Sequence, residues 1–175
     1  SRMTRWKGHL PLIEALNKIK DLEFYCIMAG DLAKHPEFVT RMKDKICQYK
    51  LQNRIQLFGN EPNIIGLYGI SDIVLSTSIE PEAFGRTIIE AQSMEKLVIA
   101  TNIGGACETV KDNITGFHVN PNDSDALAEK IKHCLSILGS KEAQEMTKKA
   151  RESVSKSFSA NVMLKDTLAI YNEER

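Results

Sequence analysis

Residues 72–101, DIVLSTSIEPEAFGRTIIEAQSMEKLVIAT, contain two short apolar runs, at 72–76 and 97–101. Both runs are aliphatic and rich in β-branched side chains, which is typical of buried strands. The residues between the runs predict a loop around Glu82 and a helix over about 84–94. Glu82 is therefore expected just beyond the carboxyl end of one strand and directly before the amino end of a helix.

The predicted loop and helix suit a ligand with hydroxyl and phosphate groups. In open α/β sheets, ligands bind outside the carboxyl ends of the strands. The amide groups of the first helical turn lack intrahelical acceptors and favour an anion or a hydroxyl-rich ligand. These amides belong to Phe84, Gly85, Arg86 and Thr87. Glu82 and Glu90 flank the amides. The two carboxylates and the amides together predict a binding site for a phosphorylated sugar compound.

The rest of the chain alternates between strands and helices in the same way. Further strands are predicted at 23–29, 54–58 and 116–119, and further helices at 6–20, 36–50, 63–68, 106–110, 123–138, 141–157 and 160–174. Short, nearly continuous apolar strands that alternate with helices indicate a parallel sheet covered on both faces. We therefore predict an α/β fold of three layers, α/β/α, with helices appended at the C-terminal end.

Composition narrows the classes of function. The chain has 175 residues and a formal net charge of zero, so no overall field draws it to nucleic acid. Its four cysteines lie far apart, and no cysteine or histidine spacing typical of metal ligands is present. This cysteine pattern favours a reducing compartment, and no apolar run approaches the roughly 20 residues of a membrane span. We expect a cytoplasmic protein without a nucleic-acid partner.

A basic loop near the start of the sequence is a second candidate for binding phosphate. Arg2 and Lys7 precede the first predicted helix. An arginine fork and a lysine point charge would together clamp a diphosphate, although a solvated basic loop is the alternative. His9 could also reach a phosphate from this loop. Arg86 could pair with Glu80 or Glu82, or contact the ligand directly.

Glycines follow several of the predicted strands, at Gly30, Gly59 and the pair Gly104-Gly105. Each glycine alone indicates only a tight turn. Together with the acidic loop at Glu82, they predict one continuous crevice along the carboxyl ends of the strands.

Taken together, these motifs resemble the donor-binding half of a family 4 retaining glycosyltransferase. The likeness is sharpest at EPEAFGRTIIEAQSM, residues 80–94, where Glu82 and Glu90 fit the family's E-x7-E motif. Further matching segments are RMTRWKGH at 2–9, FGNEPNIIGLYGISDIVLSTS at 58–78, LVIATNIGGACETV at 97–110 and TGFHVNPND at 115–123. The sequence departs from the family at Glu95, where a glycine usually ends the helix.

The resemblance implies a GT-B fold, in which two Rossmann-like domains face each other across a cleft. Residues 1–157 would be the second, nucleotide-sugar-binding domain, and residues 158–175 would pack toward an N-terminal acceptor-binding domain that this sequence does not include. The implied reaction transfers a glycosyl group from a nucleotide-diphosphate sugar with retention of configuration, without a metal or another cofactor. We expect the isolated piece to be inactive. Lipopolysaccharide or cell-envelope glycan synthesis, at the cytoplasmic face of the membrane, is the expected setting.

The same resemblance implies a role for each matching residue. Arg2 and Lys7 would hold the diphosphate and stabilise it as the leaving group. Glu82 would lie by the donor sugar, and with Arg2 and Lys7 it completes the expected catalytic set. Glu90 would accept hydrogen bonds from the ribose hydroxyls. The other expected substrate-binding residues are Phe84, Gly85, Arg86 and Thr87 at the helix start, and Gly59, Asn60 and Ile64 near the base.

Two alternatives stay open. The chain could be a non-catalytic partner domain that keeps the sheet as a scaffold, although the intact set of Arg2, Lys7, Glu82 and Glu90 argues against this. It could also belong to a nucleotide-sugar epimerase of the same architecture, whose acid and base residues would differ.

Overall fold

The computed structural model describes residues 2–173, apart from the side chains at 166, 172 and 173. The predicted domain ends at 1 and 175 and the predicted helix end at 174 lie outside the described residues. Within that part the strands are β1 Cys26–Ala29, β2 Ile55–Phe58, β3 Ile73–Ser76, β4 Leu97–Thr101 and β5 Phe117–Val119. The α-helices are α1 His9–Lys18, α2 Pro36–Gln48, α3 Ile64–Ile70, α4 Arg86–Ser93, α5 Ala106–Thr109, α6 Ser124–Ile137, α7 Lys141–Ser157 and α8 Ala160–Glu173.

All the strand pairs are parallel, as the sequence predicts. β1 pairs with β2, with Cys26 opposite Ile55, while β4 lies between β3 and β5. The strands thus form two hydrogen-bonded groups rather than one continuous ladder. The apolar content of a strand indicates its burial but does not select its neighbours, so the sequence does not reveal this division. Met28 of one group and Ile99 of the other join the same core cluster, which unites the two groups.

β4 separates the two apolar layers of the domain. Leu97 and Ile99 belong to a cluster shared with α1, α2 and α6, whereas Val98 and Ala100 belong to a cluster shared with α3, α4 and α5. This division follows from the two-residue period of a strand, in which successive side chains point to opposite faces. Every residue of β4 is buried. The predicted three-layer α/β/α arrangement is therefore confirmed.

The first predicted helix is divided by a glycine. Instead of one helix over 6–20, a 3-10 turn at Arg5–Lys7 is followed by α1, because Gly8 between them has a φ of +71°. A Cβ at Gly8 would lie 1.7 Å from the carbonyl oxygen of Thr77. Only glycine combines this conformation with so close an approach.

The predicted strand at 23–29 is shorter in the structure and begins at Cys26. Its partner β2 begins at Ile55, and the N–H of Cys26 donates to the carbonyl oxygen of Arg54 at 2.8 Å. Because the hydrogen-bonded ladder with β2 begins at this point, the residues before Cys26 are not part of the strand.

The two C-terminal helices differ in burial. α7 packs against α4 and α6 and buries Ala143, Met146, Ala150 and Val154. α8 instead exposes several apolar side chains, namely Met163, Leu164, Leu168, Ile170 and Tyr171. In the part of the chain that the structure describes, every helix falls short of the length and apolarity that a membrane crossing requires. The exposed side chains of α8 form an apolar surface that the other described residues do not cover.

Candidate functional site

The basic loop before α1 is fastened to the end of β3. The N–H of Ile79 donates to the carbonyl oxygen of Trp6 at 2.7 Å, and the hydroxyl of Thr77 donates to that of Lys7 at 3.1 Å. Thr77 is buried, so water competes little for these bonds. The loop is therefore fixed beside the residues that lead from β3 to Glu82.

Lys7 and Glu82, two members of the expected catalytic set, form an ion pair. The Nζ atom of Lys7 lies 2.6 Å from Oε1 of Glu82, and the two side chains are only 14% and 22% exposed. The hydroxyl of Ser78 donates to the same carboxylate oxygen. Burial alone would raise the pKa of Glu82, but the hydrogen bonds from Lys7 and Ser78 and the charges of Lys7 and Arg2 outweigh it and hold the pKa below its ordinary value. Glu82 is therefore ionised and oriented at neutral pH.

Trp6 lies against both of the cations that were expected to bind phosphate. The centre of its ring is 4.4 Å from the ammonium of Lys7 and 4.9 Å from the guanidinium of Arg2, within the range of cation–π contacts. The ring of Trp6 thus holds two positive charges near Glu82. Neither Trp6 nor Ser78 was predicted as a site residue. The position of the single tryptophan between two cationic residues is nevertheless a signal that the sequence carries.

The glycine pair after β4 supports the Glu82 loop. The N–H of Gly105 donates to the carbonyl oxygen of Glu82 at 2.8 Å. A Cβ at Gly104 would lie 2.6 Å from that same oxygen, and a Cβ at Gly105 would lie 2.7 Å from Cα of Phe84. Both distances are too short for a side-chain carbon, so only glycine at these two positions allows the Glu82 loop to pack this closely. The glycine turn predicted from the sequence is therefore part of the site.

The helix that carries Glu90 begins at Arg86, with Gly85 as its N-cap at a φ of +75°. By helix geometry, the amides of Arg86 and Thr87 have no intrahelical acceptor and carry the positive end of the helix dipole. The ring of Phe84 packs edge to face on Phe158, with ring centres 5.5 Å apart. Phe84 itself precedes the N-cap, so its amide lies outside the first helical turn in which the sequence analysis placed it. Its contact with a ligand stays a prediction.

Both oxygens of the Glu90 carboxylate accept hydrogen bonds. The hydroxyl of Tyr68 donates to Oε2 at 2.9 Å, and Arg86 donates to Oε1 from Nε at 3.2 Å and from Nη2 at 2.9 Å. Arg86 pairs with Glu90 rather than with Glu80 or Glu82, because residues four apart lie on the same face of a helix. Tyr68 was missed from the sequence, since it stands in an apolar helical run.

The remaining predicted residues lie around these two clusters. Ile64 begins α3, one turn before Tyr68, and packs on the apolar cluster that includes Tyr68. Gly59 and Asn60 directly follow β2, and their assignment to the nucleotide base stays a prediction. His9 is buried, and burial lowers its pKa to about 4, so its neutral ring is a core group rather than a phosphate ligand.

The two charged clusters border the start of α4. One joins Arg2, Lys7 and Glu82, and the other joins Arg86 and Glu90. Their convergence around one bound donor stays a prediction. Among the residues that the structure describes, no group of three or more His, Cys, Asp or Glu side chains is arranged to hold a metal ion.

Comparison with known proteins identifies the family. Residues 1–153 match the family described as "Glycosyl transferases group 1". The chain belongs to this family. A relative, the sucrose synthase of Acidithiobacillus caldus, is 34% identical in an alignment of 147 residues that covers 75% of this chain and 18% of that enzyme.

Solved structures share the fold of this group 1 chain. A glycosyltransferase from Rickettsia africae ESF-5 superposes with a TM-score of 0.96 and 61% identity, over 99% of this chain and 46% of that one. Anabaena Alr3699/HepE, in complex with UDP and glucose, superposes with a TM-score of 0.89 and 30% identity, over 100% of this chain and 47% of that one. The Rossmann-like fold is thus confirmed. The chain spans less than half the length of each of these three proteins.

Proposed function

We propose that this chain is the donor-binding domain of a retaining glycosyltransferase that uses a nucleotide-diphosphate sugar without a metal. The observation that carries the proposal is the meeting of Lys7 with Glu82 directly before the amino end of α4. An ion pair, a second cation on Trp6 and the first-turn amides of a helix thereby share one small region. Such a region is suited to a ligand that carries both phosphate oxygens and sugar hydroxyls.

In this proposal, Arg2 and Lys7 bind the diphosphate and neutralise the charge that develops on it as the glycosyl bond breaks. Their charges take the place of a cation. A bound diphosphate competes with Glu82 for Lys7, so part of the carboxylate becomes available to the donor sugar. The amides from Phe84 to Thr87 contact the phosphate and the sugar hydroxyls.

Glu90 binds the ribose in the same scheme. A carboxylate accepts hydrogen bonds from two neighbouring hydroxyls, which a ribose offers at its 2′ and 3′ positions. Gly59, Asn60 and Ile64 lie near the base. UDP is the first candidate for the nucleotide, because HepE, which is 30% identical to this chain, was crystallised with UDP and glucose.

The full enzyme would need an acceptor-binding domain N-terminal to this one, and α8 is the element proposed to pack against it. The exposed apolar side chains of α8, such as Leu164 and Leu168, support this assignment. This chain alone should then transfer little sugar. We further propose a cytoplasmic protein, peripheral to the inner membrane, that acts in lipopolysaccharide or cell-envelope glycan synthesis. The motif resemblance is the support for that setting and for retention.

The donor site is tested by titrating the chain with UDP, GDP and ADP sugars. Trp6 is the single tryptophan of the chain and contacts both proposed phosphate-binding cations. Its fluorescence should therefore change as a nucleotide diphosphate binds, with saturation in the micromolar to millimolar range. Glu90→Ala should weaken binding at least about tenfold, as expected when a hydrogen-bonding carboxylate is lost.

Glu145→Ala is the matched control, because Glu145 also forms an exposed ion pair four residues from its partner, Lys141 on α7. It should leave binding unchanged. If no nucleotide binds at millimolar concentration, the donor-site assignment is wrong and the non-catalytic alternative is favoured. If nucleotides bind but Glu90→Ala leaves their affinity unchanged, the role of Glu90 in that site is wrong. A transfer assay on the full-length protein with radiolabelled nucleotide sugars separates transfer from epimerisation.

A further inference from the structure

The two oxygens of the Glu90 carboxylate are held by partners of different kinds. Oε2 accepts a hydrogen bond from the hydroxyl of Tyr68, a residue of the neighbouring helix α3. Oε1 accepts two hydrogen bonds from the guanidinium of Arg86, one turn earlier on the same helix. The carboxylate is thus tied to α3 at one oxygen and to its own helix at the other.

The Tyr68 contact is the fixed one. Tyr68 is only 6% exposed and packs in the apolar cluster with Ile88, so its ring cannot turn away without opening the core. Burial, together with the bond to Glu90, raises the pKa of Tyr68 to about 12, so the phenol remains a hydrogen-bond donor throughout the neutral range.

The Arg86 contact is the exchangeable one. The side chain of Arg86 is 83% exposed, whereas that of Glu90 is 32% exposed. Exposed ion pairs between residues four apart on a helix contribute little to stability and are screened by salt. A ligand that offers hydroxyl donors can therefore replace Arg86 at Oε1 at small cost, while Oε2 stays where Tyr68 holds it.

We propose that Tyr68 is a positioning residue that fixes the Glu90 carboxylate so that its Arg86-bound oxygen is presented to the ribose hydroxyls of the donor. This inference rests on the proposed donor site. It adds Tyr68 to that site and predicts that the site prefers ribonucleotides to 2′-deoxyribonucleotides. A carboxylate already oriented by a buried phenol loses less conformational freedom when the ribose binds. The oriented group also favours a ribose with both hydroxyls over one that lacks the 2′ donor.

The test compares the dissociation constants of UDP and 2′-deoxy-UDP for the chain, measured by calorimetry. The wild-type chain should favour UDP by about tenfold or more, as expected for a hydrogen bond to a charged group. Tyr68→Phe should weaken UDP binding by about tenfold and 2′-deoxy-UDP binding by less than about threefold, so that the preference largely disappears. Glu90→Gln should also lose it, with a side chain of nearly the same shape.

Two matched controls separate positioning from general effects. Tyr25→Phe removes another tyrosine hydroxyl bonded to a side chain, the Oε1 of Gln56 at 2.7 Å, and should leave both affinities unchanged. Lys141→Gln removes another cation paired with a carboxylate four residues away, that of Glu145 on α7, and should likewise leave both affinities unchanged. Thermal unfolding of each variant confirms that it is folded.

The outcomes separate the inference from the proposed function. If Tyr68→Phe leaves UDP binding intact, or weakens the binding of both nucleotides equally, Tyr68 does not position Glu90 for the ribose. The proposed donor site is unaffected by that result. If the wild-type chain binds UDP with no preference over its 2′-deoxy analogue, the ribose role of Glu90 is overturned with it. If the wild-type chain binds neither of them, and neither GDP nor ADP, the proposed function itself fails; if it binds GDP or ADP instead, the comparison is made between that nucleotide and its 2′-deoxy analogue.

Discussion

Lys7 donates a hydrogen bond to Glu82 at 2.6 Å, although the two residues are 75 positions apart. The pair joins the basic loop before α1 to the acidic loop after β3, so neither loop can move without disturbing the other. Ser78 binds the same carboxylate oxygen from the end of β3. A nucleotide diphosphate that approaches Lys7 therefore meets a cation whose position is already set by the fold.

Lys7→Met should raise the pKa of Glu82. In the wild-type chain, burial pushes this pKa upward, while the hydrogen bonds from Lys7 and Ser78 and nearby positive charge bring it below its ordinary value. Without Lys7, fewer favourable interactions with the carboxylate oppose the effect of burial on this pKa. Carboxyl carbon NMR over a pH titration measures the change.

Arg5→Met is the control for the change at Lys7. Arg5 pairs with Glu80 at 3.6 Å in an exposed contact, so its loss should leave the titration of Glu82 as it is in the wild-type chain. Equal titration of Glu82 in the wild-type and Lys7→Met chains would contradict the importance of the pair.

Gly105→Ala should displace the Glu82 loop. The added Cβ would meet Cα of Phe84 at 2.7 Å and the carbonyl oxygen of Ala83 at 2.8 Å. Because both are backbone atoms, we expect the free energy of unfolding to fall by about 1–3 kcal/mol, typical of overpacking. Urea unfolding gives this quantity, and nucleotide binding should weaken as well.

Gly69→Ala provides the comparison for Gly105→Ala. Gly69 lies within α3, and no atom stands within 4 Å of a Cβ built there. Alanine favours a helix over glycine by about 1 kcal/mol, so this variant should be as stable as the wild-type chain or more stable. Similar losses in both variants would show that the contact at Gly105 is not the cause.

The central segment of the fold could be predicted almost to the residue. The apolar runs at 72–76 and 97–101 become β3 and β4 with a difference of one residue. Such agreement is expected for β4, which is buried on both faces, because a strand of this kind carries a nearly continuous apolar run. β3 is only partly buried, but it pairs with β4 along its whole length. The meeting of Lys7 with Glu82 is also consistent with the sequence, since the family resemblance assigns both residues to one catalytic set.

The contacts of Glu90 could not be predicted in the same way. Tyr68 lies in a helical apolar run, where a tyrosine looks like any other core residue, and its hydroxyl gains a role only when α3 and α4 pack together. The partner of Arg86 depended on which of three nearby carboxylates its helix would face. The pairing of the strands could not be predicted either, because β1 and β3 have similar apolar sequences.

His9→Gln should flatten the dependence of stability on pH. Burial, partly opposed by a hydrogen bond with the backbone of Thr4, lowers the pKa of His9 to about 4, against 6.5 for an ordinary histidine. Between these values the unfolded chain binds more protons than the folded chain, so stability falls as pH drops through this window. The shift as a whole corresponds to a loss of roughly 3 kcal/mol.

Urea unfolding at pH 7.0 and at pH 4.5 measures this contribution from His9 in the wild-type and variant chains. His35→Gln is the control, because His35 is exposed in the loop before α2, and it should leave the pH dependence as it is. A wild-type chain and a His9→Gln chain that lose the same stability between the two pH values would show that another group governs the acid response.

Glu95→Gly should stabilise the chain, because Glu95 takes the place of a helix-ending glycine. Glu95 follows α4 with a φ of +56°, and the N–H groups of Glu95 and Lys96 donate to the carbonyl oxygens of Gln92 and Ala91. This is the Schellman pattern, whose left-handed position favours glycine. A residue with a side chain loses about 1–2 kcal/mol in that conformation.

The side chain of Glu95 offsets part of this cost. Arg151 of α7 donates to its carboxylate at 3.0 Å, but both side chains are about half exposed, and such pairs contribute less than about 1 kcal/mol. We therefore expect Glu95→Gly to raise the free energy of unfolding by roughly 0.5–1 kcal/mol in urea. Arg151→Ala measures the ion pair by itself. If Glu95→Gly destabilises the chain by as much as Arg151→Ala, the contact with α7 outweighs the backbone strain, and Glu95 is retained for the packing of α7 on α4.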